Sequence, residues 1–311
     1  VEPFRKHVAI SIDGGGIKGV VVTKALAMLE EHLGKTARDV FRLAAGTSTG
    51  SIISAGIAAG LSAATMFDLY VALGETVMAK SWRSAFWPLT RYRYPLEPLA
   101  ATLREQIGDL KMGDFDSADP PTDVIIPCFD LVENRSRFIK PYKSEYRDWS
   151  VITAVLASSS VPTYFPPVEG RFVDGGVGSY ANPCYLAAWE IQYYLNWDPT
   201  ETTLISLGTG RDPNILKPGT ANRFWAWDWI GPVLGAFLHS AEDQQVHLVK
   251  TFFEQLDFRR FQVELREPIG MDDTSKIPDL ARYGEELGRM ILDDQMDRAM
   301  TVQIQRAPAR Y

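Results

Sequence analysis

Short apolar runs, each bounded by turn or polar positions, recur through the first two thirds of the chain. They fall at residues 7–12, 40–45, 124–130, 137–141, 171–174 and 203–207, and each has the length of a strand. Between several of them apolar residues return at every third or fourth position, the period of a helix with one buried face. Residues 20–33 and 51–59 show this most clearly. Strands alternating with helices predict an α/β fold built on a mostly parallel central sheet. After residue 222 the pattern turns helical, with a long stretch beyond residue 224 and a mixed-charge helix over 278–299. We read residues 1–311 as one domain, with a core of about 5–211 and a mainly helical C-terminal part over 222–311. Residues 109–123, rich in Asp and Pro, read as an exposed connection, and 211–222 as another loop.

Composition narrows the class. Of 311 residues, 46% are hydrophobic, enough for a sizeable core. The formal net charge of -7 gives no support for nucleic-acid binding. It also disfavours tight docking on anionic membranes, unless a local patch overrides it. Cys128 and Cys184 are too few for a disulfide framework and read as buried free thiols of a reducing compartment. No apolar run reaches transmembrane length, and no signal peptide is recognisable. The expected location is the cytoplasm, with peripheral membrane contact allowed. The chain starts at Val1 without a methionine, which leaves upstream residues open.

Two motifs sit where a strand turns into a helix. Gly46-Thr47-Ser48-Thr49-Gly50 has the Gly-x-Ser-x-Gly form of a nucleophile elbow, in which small neighbours let strand and helix approach closely. Ser48 then stands at a helix N-terminus, where the local field favours developing negative charge. Asp13-Gly14-Gly15-Gly16-Ile17-Lys18-Gly19 is a glycine-rich loop whose N–H groups suit an oxyanion. Together they point to a serine acyl hydrolase. Gly14, Gly16 and Gly19 also satisfy Gly-x-Gly-x-x-Gly, which keeps a dinucleotide-binding oxidoreductase open. The acid that such a site needs has one candidate, Asp39, but it precedes a predicted strand instead of ending one. A Walker loop is excluded, because Lys18 is followed by Gly19. A non-catalytic lipid-binding module is a third reading.

A serine nucleophile needs a base. His7, His32, His239 and His247 are the only histidines, and the order Ser48, Asp174, His239 matches an ordinary triad. The other candidate is Asp174 itself. Phe172-Val173-Asp174-Gly175-Gly176 puts an aspartate at a strand end, where burial raises its basicity. The same string also fits a simple tight turn.

Taken in order, these blocks resemble the patatin-like phospholipase family. The glycine loop over 13–19, the elbow over 46–50 and the Asp-Gly-Gly over 174–176 all match its pattern. So does the serine- and proline-rich segment 157–167, and Asn182-Pro183 and 206–210 extend the likeness. The resemblance covers roughly residues 5–211 and shows no departure at the catalytic positions. It implies a three-layer α/β/α sandwich with an added helical C-terminal segment. It implies a Ser48–Asp174 dyad without catalytic histidine, an oxyanion hole from Gly14, Gly15 and Gly16, and Lys18 at a basic position that would help hold an anionic substrate. No metal and no cofactor are implied. The expected substrate is a glycerophospholipid ester or another lipid ester, hydrolysed by phospholipase A chemistry. Some bacterial members are toxins or effectors switched on by a nucleotide signal, so an activating small molecule or protein is allowed. Two aromatic segments, 82–94 and 224–230, suit an acyl pocket, a lid or a bilayer contact, or ordinary packing.

Overall fold

The structure, a computed structural model, describes the backbone of residues 1–78, 89–213 and 216–297. Trp82, Arg83 and Trp87 of the first aromatic segment and the side chains of Trp227 and His239 lie outside the described residues, while the helix expected over 278–299 stops at Leu292.

The chain opens with β1 (His7–Ile12) and α1 (Gly19–Leu33), then α2 (Ala37–Val40), β2 (Leu43–Gly46) and α3 (Thr49–Ala58). Helices α4 (Ala63–Thr76), α5 (Glu97–Ile107) and α6 (Met112–Ser117) lead to β3 (Asp123–Asp130) and β4 (Arg135–Ile139). Next come α7 (Val151–Ser159), β5 (Phe172–Asp174), α8 (Cys184–Tyr193) and β6 (Thr202–Leu207). The last elements are α9 (Ile230–Phe252), β7 (Asp257–Phe261) and α10 (Ile277–Leu292).

One sheet runs in the order β4-β3-β2-β1-β6-β7, with β5 also paired to β3. β3, β2, β1, β6 and β7 are mutually parallel, while β4 and β5 run antiparallel to β3. Along β1, Val8, Ile10 and Ile12 face one apolar core and Ala9 the other, as the strand period of two requires. Helices α1, α3, α4 and α10 cover the first face, and α8 and α9 the second. The fold is thus a mostly parallel sheet between helical layers.

β2 and β5 share one edge of β3. β2 pairs with residues 123–125, and β5 with 128–130 farther along. Where β2 leaves that edge to make the elbow, β5 takes it over and brings Asp174 to the same end of the sheet.

Two further readings of the sequence are corrected. The second strand starts at Leu43, not at residue 40, because Thr36 and Asp39 form a reciprocal capping box that turns 37–40 into a helix. Residues 109–123 are not merely an exposed connection. They contain α6, anchored by buried Met112 and Phe115. The strand β7 was not foreseen.

Candidate active site

The elbow forms as its sequence predicts. Ser48 links β2 to α3 with φ 55° and ψ -123°, a sparsely populated conformation that costs about 1–3 kcal/mol. The flanking glycines are steric necessities. A Cβ on Gly46 would lie 2.0 Å from the Gly50 carbonyl oxygen, and one on Gly50 would lie 2.2 Å from the Ile12 carbonyl oxygen. The serine-rich segment braces the turn. Ser48 N–H donates to Ser158 Oγ (3.0 Å), and Ser158 Oγ donates to the Pro127 carbonyl (2.6 Å). The hydroxyls of Ser51 and Ser159 donate to the Ser48 carbonyl at 2.6 and 3.2 Å. Ser160 holds the other partner, accepting the Asp174 N–H through its carbonyl at 3.1 Å. Ser158 and Ser159 were visible only as part of a string. Their bracing role had no signal in the sequence, since serines of loops and of braces look alike.

Asp174 is 3% exposed. Its Oδ1 accepts the Gly176 N–H at 2.7 Å, while Oδ2 is buried with no partner in hydrogen-bond geometry among the described residues. Burial raises its pKa from 3.8 to about 6, opposed by the Ser48 side chain and the Gly176 N–H. Ser48 is therefore near enough to stabilise the carboxylate, yet not aligned for a full bond. Loose contacts of this kind are common in sites without substrate.

The glycine loop is tied at nearly every point. Asp13 N–H donates to Leu207 O (3.0 Å), Gly14 N–H to Ala181 O (2.9 Å) and Ile17 N–H to Met271 O (2.8 Å). Thr209 Oγ1 donates to the Gly14 carbonyl at 2.8 Å. The N–H groups of Gly15, Gly16 and Thr49 have no acceptor among the described residues, which suits them to an oxyanion. Gly14 sits against Ser48, but its N–H is engaged. Lys18 is also placed differently from expectation. Its ammonium pairs with Asp212 at 2.9 Å, with side chains only 6% and 12% exposed, and Asp212 Oδ1 accepts the Ile269 N–H at 3.2 Å. A buried ammonium requires a nearby carboxylate, and here that carboxylate comes from the chain itself.

Asp13 is gripped from below by Arg260 of β7, through two bonds of 2.9 and 2.5 Å, and Arg260 also donates to Ser206 Oγ at 2.9 Å. Both side chains are buried. Burial pushes the Asp13 carboxyl up, and the guanidinium opposes it. Arg260 is a residue that sequence reading missed.

The dinucleotide-binding constellation does not assemble, and the triad with His239 cannot form among the described residues because that side chain lies outside them. Asp39 caps α2, its Oδ2 accepting from Thr36 N–H and Oγ1 at 3.2 and 2.7 Å. It precedes β2 and so lies at the opposite end of the sheet from the glycine loop. His7 stacks on Trp197 at 4.8 Å, at the start of β1. His247 Nδ1 faces Thr251 Oγ1 one turn on, at 3.4 Å. Among the described residues no group of three His, Cys, Asp or Glu side chains is arranged to hold a metal ion, and no helix is long and apolar enough to cross a membrane. A mainly apolar cavity opens on Ser48, lined by Ile17, Ile52, Tyr70, Leu73, Leu99, Val161 and Phe165.

A profile described as patatin-like phospholipase matches residues 10–188, more than half of the chain and all four motif blocks. This chain belongs to the patatin-like phospholipase family. One relative, the cGAMP-activated phospholipase of Vibrio cholerae, is 30% identical over 89% of this chain and 89% of that protein. The patatin-like protein 2 of Oryza sativa subsp. indica is 25% identical over 96% of this chain and 86% of that protein. The 85/88 kDa calcium-independent phospholipase A2 of Mus musculus is 31% identical over 66% of this chain, a span that is 27% of that protein. Among solved structures, VipD from Legionella pneumophila aligns over 94% of this chain and 67% of that chain, with a TM-score of 0.49 and 12% identity. The patatin-like span ends before Asp212, Arg260 and Met271, which hold the glycine loop from outside it.

Proposed function

We propose that this protein is a lipid acyl hydrolase, a phospholipase A. It cleaves carboxylic esters of glycerophospholipids through a Ser48 acyl-enzyme, with Asp174 as general base. The supporting observation is Asp174 Oδ2, buried and without a partner among the described residues, on a carboxyl whose pKa is raised to about 6 and touched by Ser48. Oδ2 takes the hydroxyl proton as Ser48 Oγ bonds to the ester carbonyl carbon. The carbonyl electron pair moves to oxygen, where the N–H groups of Gly15, Gly16 and Thr49 donate. Collapse breaks the ester C–O bond, and the leaving lysolipid oxygen takes the proton from Asp174. Water then gives a proton to Asp174 and its hydroxyl to the acyl carbon, the fatty acid departs, and Ser48 regains its proton. The apolar cavity receives the acyl chain. Gly14 and Lys18 act by shaping the loop and not by touching substrate.

The test is fluorophosphonate labelling and fatty-acid release from phospholipid vesicles, in wild type, Ser48→Ala and Asp174→Asn. The Vibrio relative's name motivates a parallel arm with an added cyclic dinucleotide. The expected result is labelling that vanishes in Ser48→Ala, with release lost in both variants. Labelling that survives Ser48→Ala moves the nucleophile elsewhere. Vesicle binding without labelling or release in either arm favours a non-catalytic lipid-binding module.

A further inference from the structure

Helix α9 is longer than the strands it serves. Its 23 residues extend about 35 Å, whereas the six residues of β6 extend about 20 Å. It joins β6 to β7, which are parallel, so it must run from the catalytic ends of the strands back to the opposite ends. The far end of α9 is fixed, because β7 begins only a few residues after it, with Asp257 opposite Thr203. Higher up, Gln245 Nε2 donates to the Ser179 carbonyl at 3.1 Å, just past the turn that follows Asp174. Roughly fifteen residues of α9, about 22 Å, precede that contact. The surplus length therefore projects from the catalytic face.

The tip of this projection is exposed and apolar. Trp225 is 76% exposed, Trp229 45%, Leu216 43% and Val233 41%. It is also shaped. Phe224 packs edge-on against Trp229 at 5.2 Å, and Asp228 Oδ2 accepts the Trp225 N–H at 2.8 Å. Lys217 and Arg223 are exposed in the same stretch. A single exposed apolar residue needs no explanation, but two tryptophans and Val233 around the start of one projecting helix do.

We infer that this tip docks the protein on a phospholipid bilayer, with Trp225 and Trp229 seated at the headgroup level. The inference rests on the proposed lipid-ester chemistry, because it supplies the reason for Ser48 to approach a membrane. Tryptophan favours the water–lipid boundary, and Lys217 and Arg223 match headgroup phosphates. The tip projects from the face that carries Ser48 and Asp174, so docking presents the site to the bilayer. The chain's net charge is -7, so aromatic insertion and not bulk attraction drives binding. Added salt weakens it little.

The test separates docking from chemistry. Sedimentation with phosphatidylcholine vesicles is measured in the Ser48→Ala background, which leaves the lipid intact. Trp225→Ala/Trp229→Ala is expected to weaken partitioning at least tenfold. In the otherwise wild-type chain the same pair lowers release from vesicles about tenfold and leaves hydrolysis of a monomeric short-chain ester within twofold. Unchanged partitioning overturns the inference, as does absence of vesicle binding by the Ser48→Ala chain. Equal loss on both substrates overturns it too, since the tryptophans then serve the site and not the membrane. If no ester is hydrolysed at all, the proposed reaction fails while the sedimentation result still decides the docking.

Discussion

At the scale of the residue, the proposed reaction needs Asp174 to be both buried and ionised, and these demands conflict. As a base it works only when deprotonated, so the rate rises with pH through about 6, the value that burial gives it. Stability moves the other way. The folded carboxyl binds its proton more tightly than the unfolded one, so stability falls as pH rises from about 4 to about 6 and stays lower above. Asp174→Asn keeps an oxygen for the Gly176 N–H and removes the buried charge. It is expected to abolish ester hydrolysis and to add about 1–3 kcal/mol at pH 7.5. At pH 4 it adds almost nothing. Thermal melting at the two pH values checks this, and an equal shift at both would contradict it. Lys18 and Asp39 teach the complementary lesson. Both carry charges that a motif assigns to a ligand, and both are matched inside the chain, by Asp212 and by the Thr36 cap.

At the scale of the element, the site depends on how α7 is joined to β5. The last turn of α7 and Ser160 just past it touch both the elbow and the Asp174 backbone, and Ser158 is the pivot. Ser158→Ala leaves a buried N–H on Ser48 and a buried carbonyl on Pro127, costing about 1–3 kcal/mol. It also lets the nucleophile shift, and a small misplacement costs about 10–100-fold in rate. The expected signature is a lower kcat with a KM close to wild type, read on a monomeric ester. How legible these elements were follows from what announces them. β1 was readable to the residue, because Val8, Ala9, Ile10 and Ile12 leave only Ser11 polar between His7 and the glycine loop. β2 was read three residues early, because Val40 looks like strand until the Thr36 cap is recognised. β7 was invisible, because Asp257-Phe258-Arg259-Arg260-Phe261 reads as a polar surface. Its charges are neutralised by pairing that the run does not announce, Arg259 with Asp257 in the same strand and Arg260 with distant Asp13. The Ser48 and Asp174 turns were legible since glycine spacing is local, whereas the residues that hold them in place are not.

At the scale of the whole molecule, the family's shared span carries the proposed reacting groups, and the later part of the chain ties down the glycine loop beside them. Arg260 is the strongest of these ties. Arg260→Met strands a buried Asp13 carboxylate and is expected to cost about 3–5 kcal/mol. Adding Asp13→Asn should return a good part of that loss, a departure from additivity that urea midpoints measure. A double variant no more stable than Arg260→Met alone would mean that the pair is not coupled. The layout also bears on biosynthesis. Ser48 leaves the ribosome before Asp174, and Arg260 emerges only after both. The glycine loop lacks its buried counter-ion until the sheet accepts β7. A nascent chain of this protein therefore carries Ser48 without the counter-ion of the glycine loop, and the proposed acyltransfer centre is complete only once Arg260 has emerged.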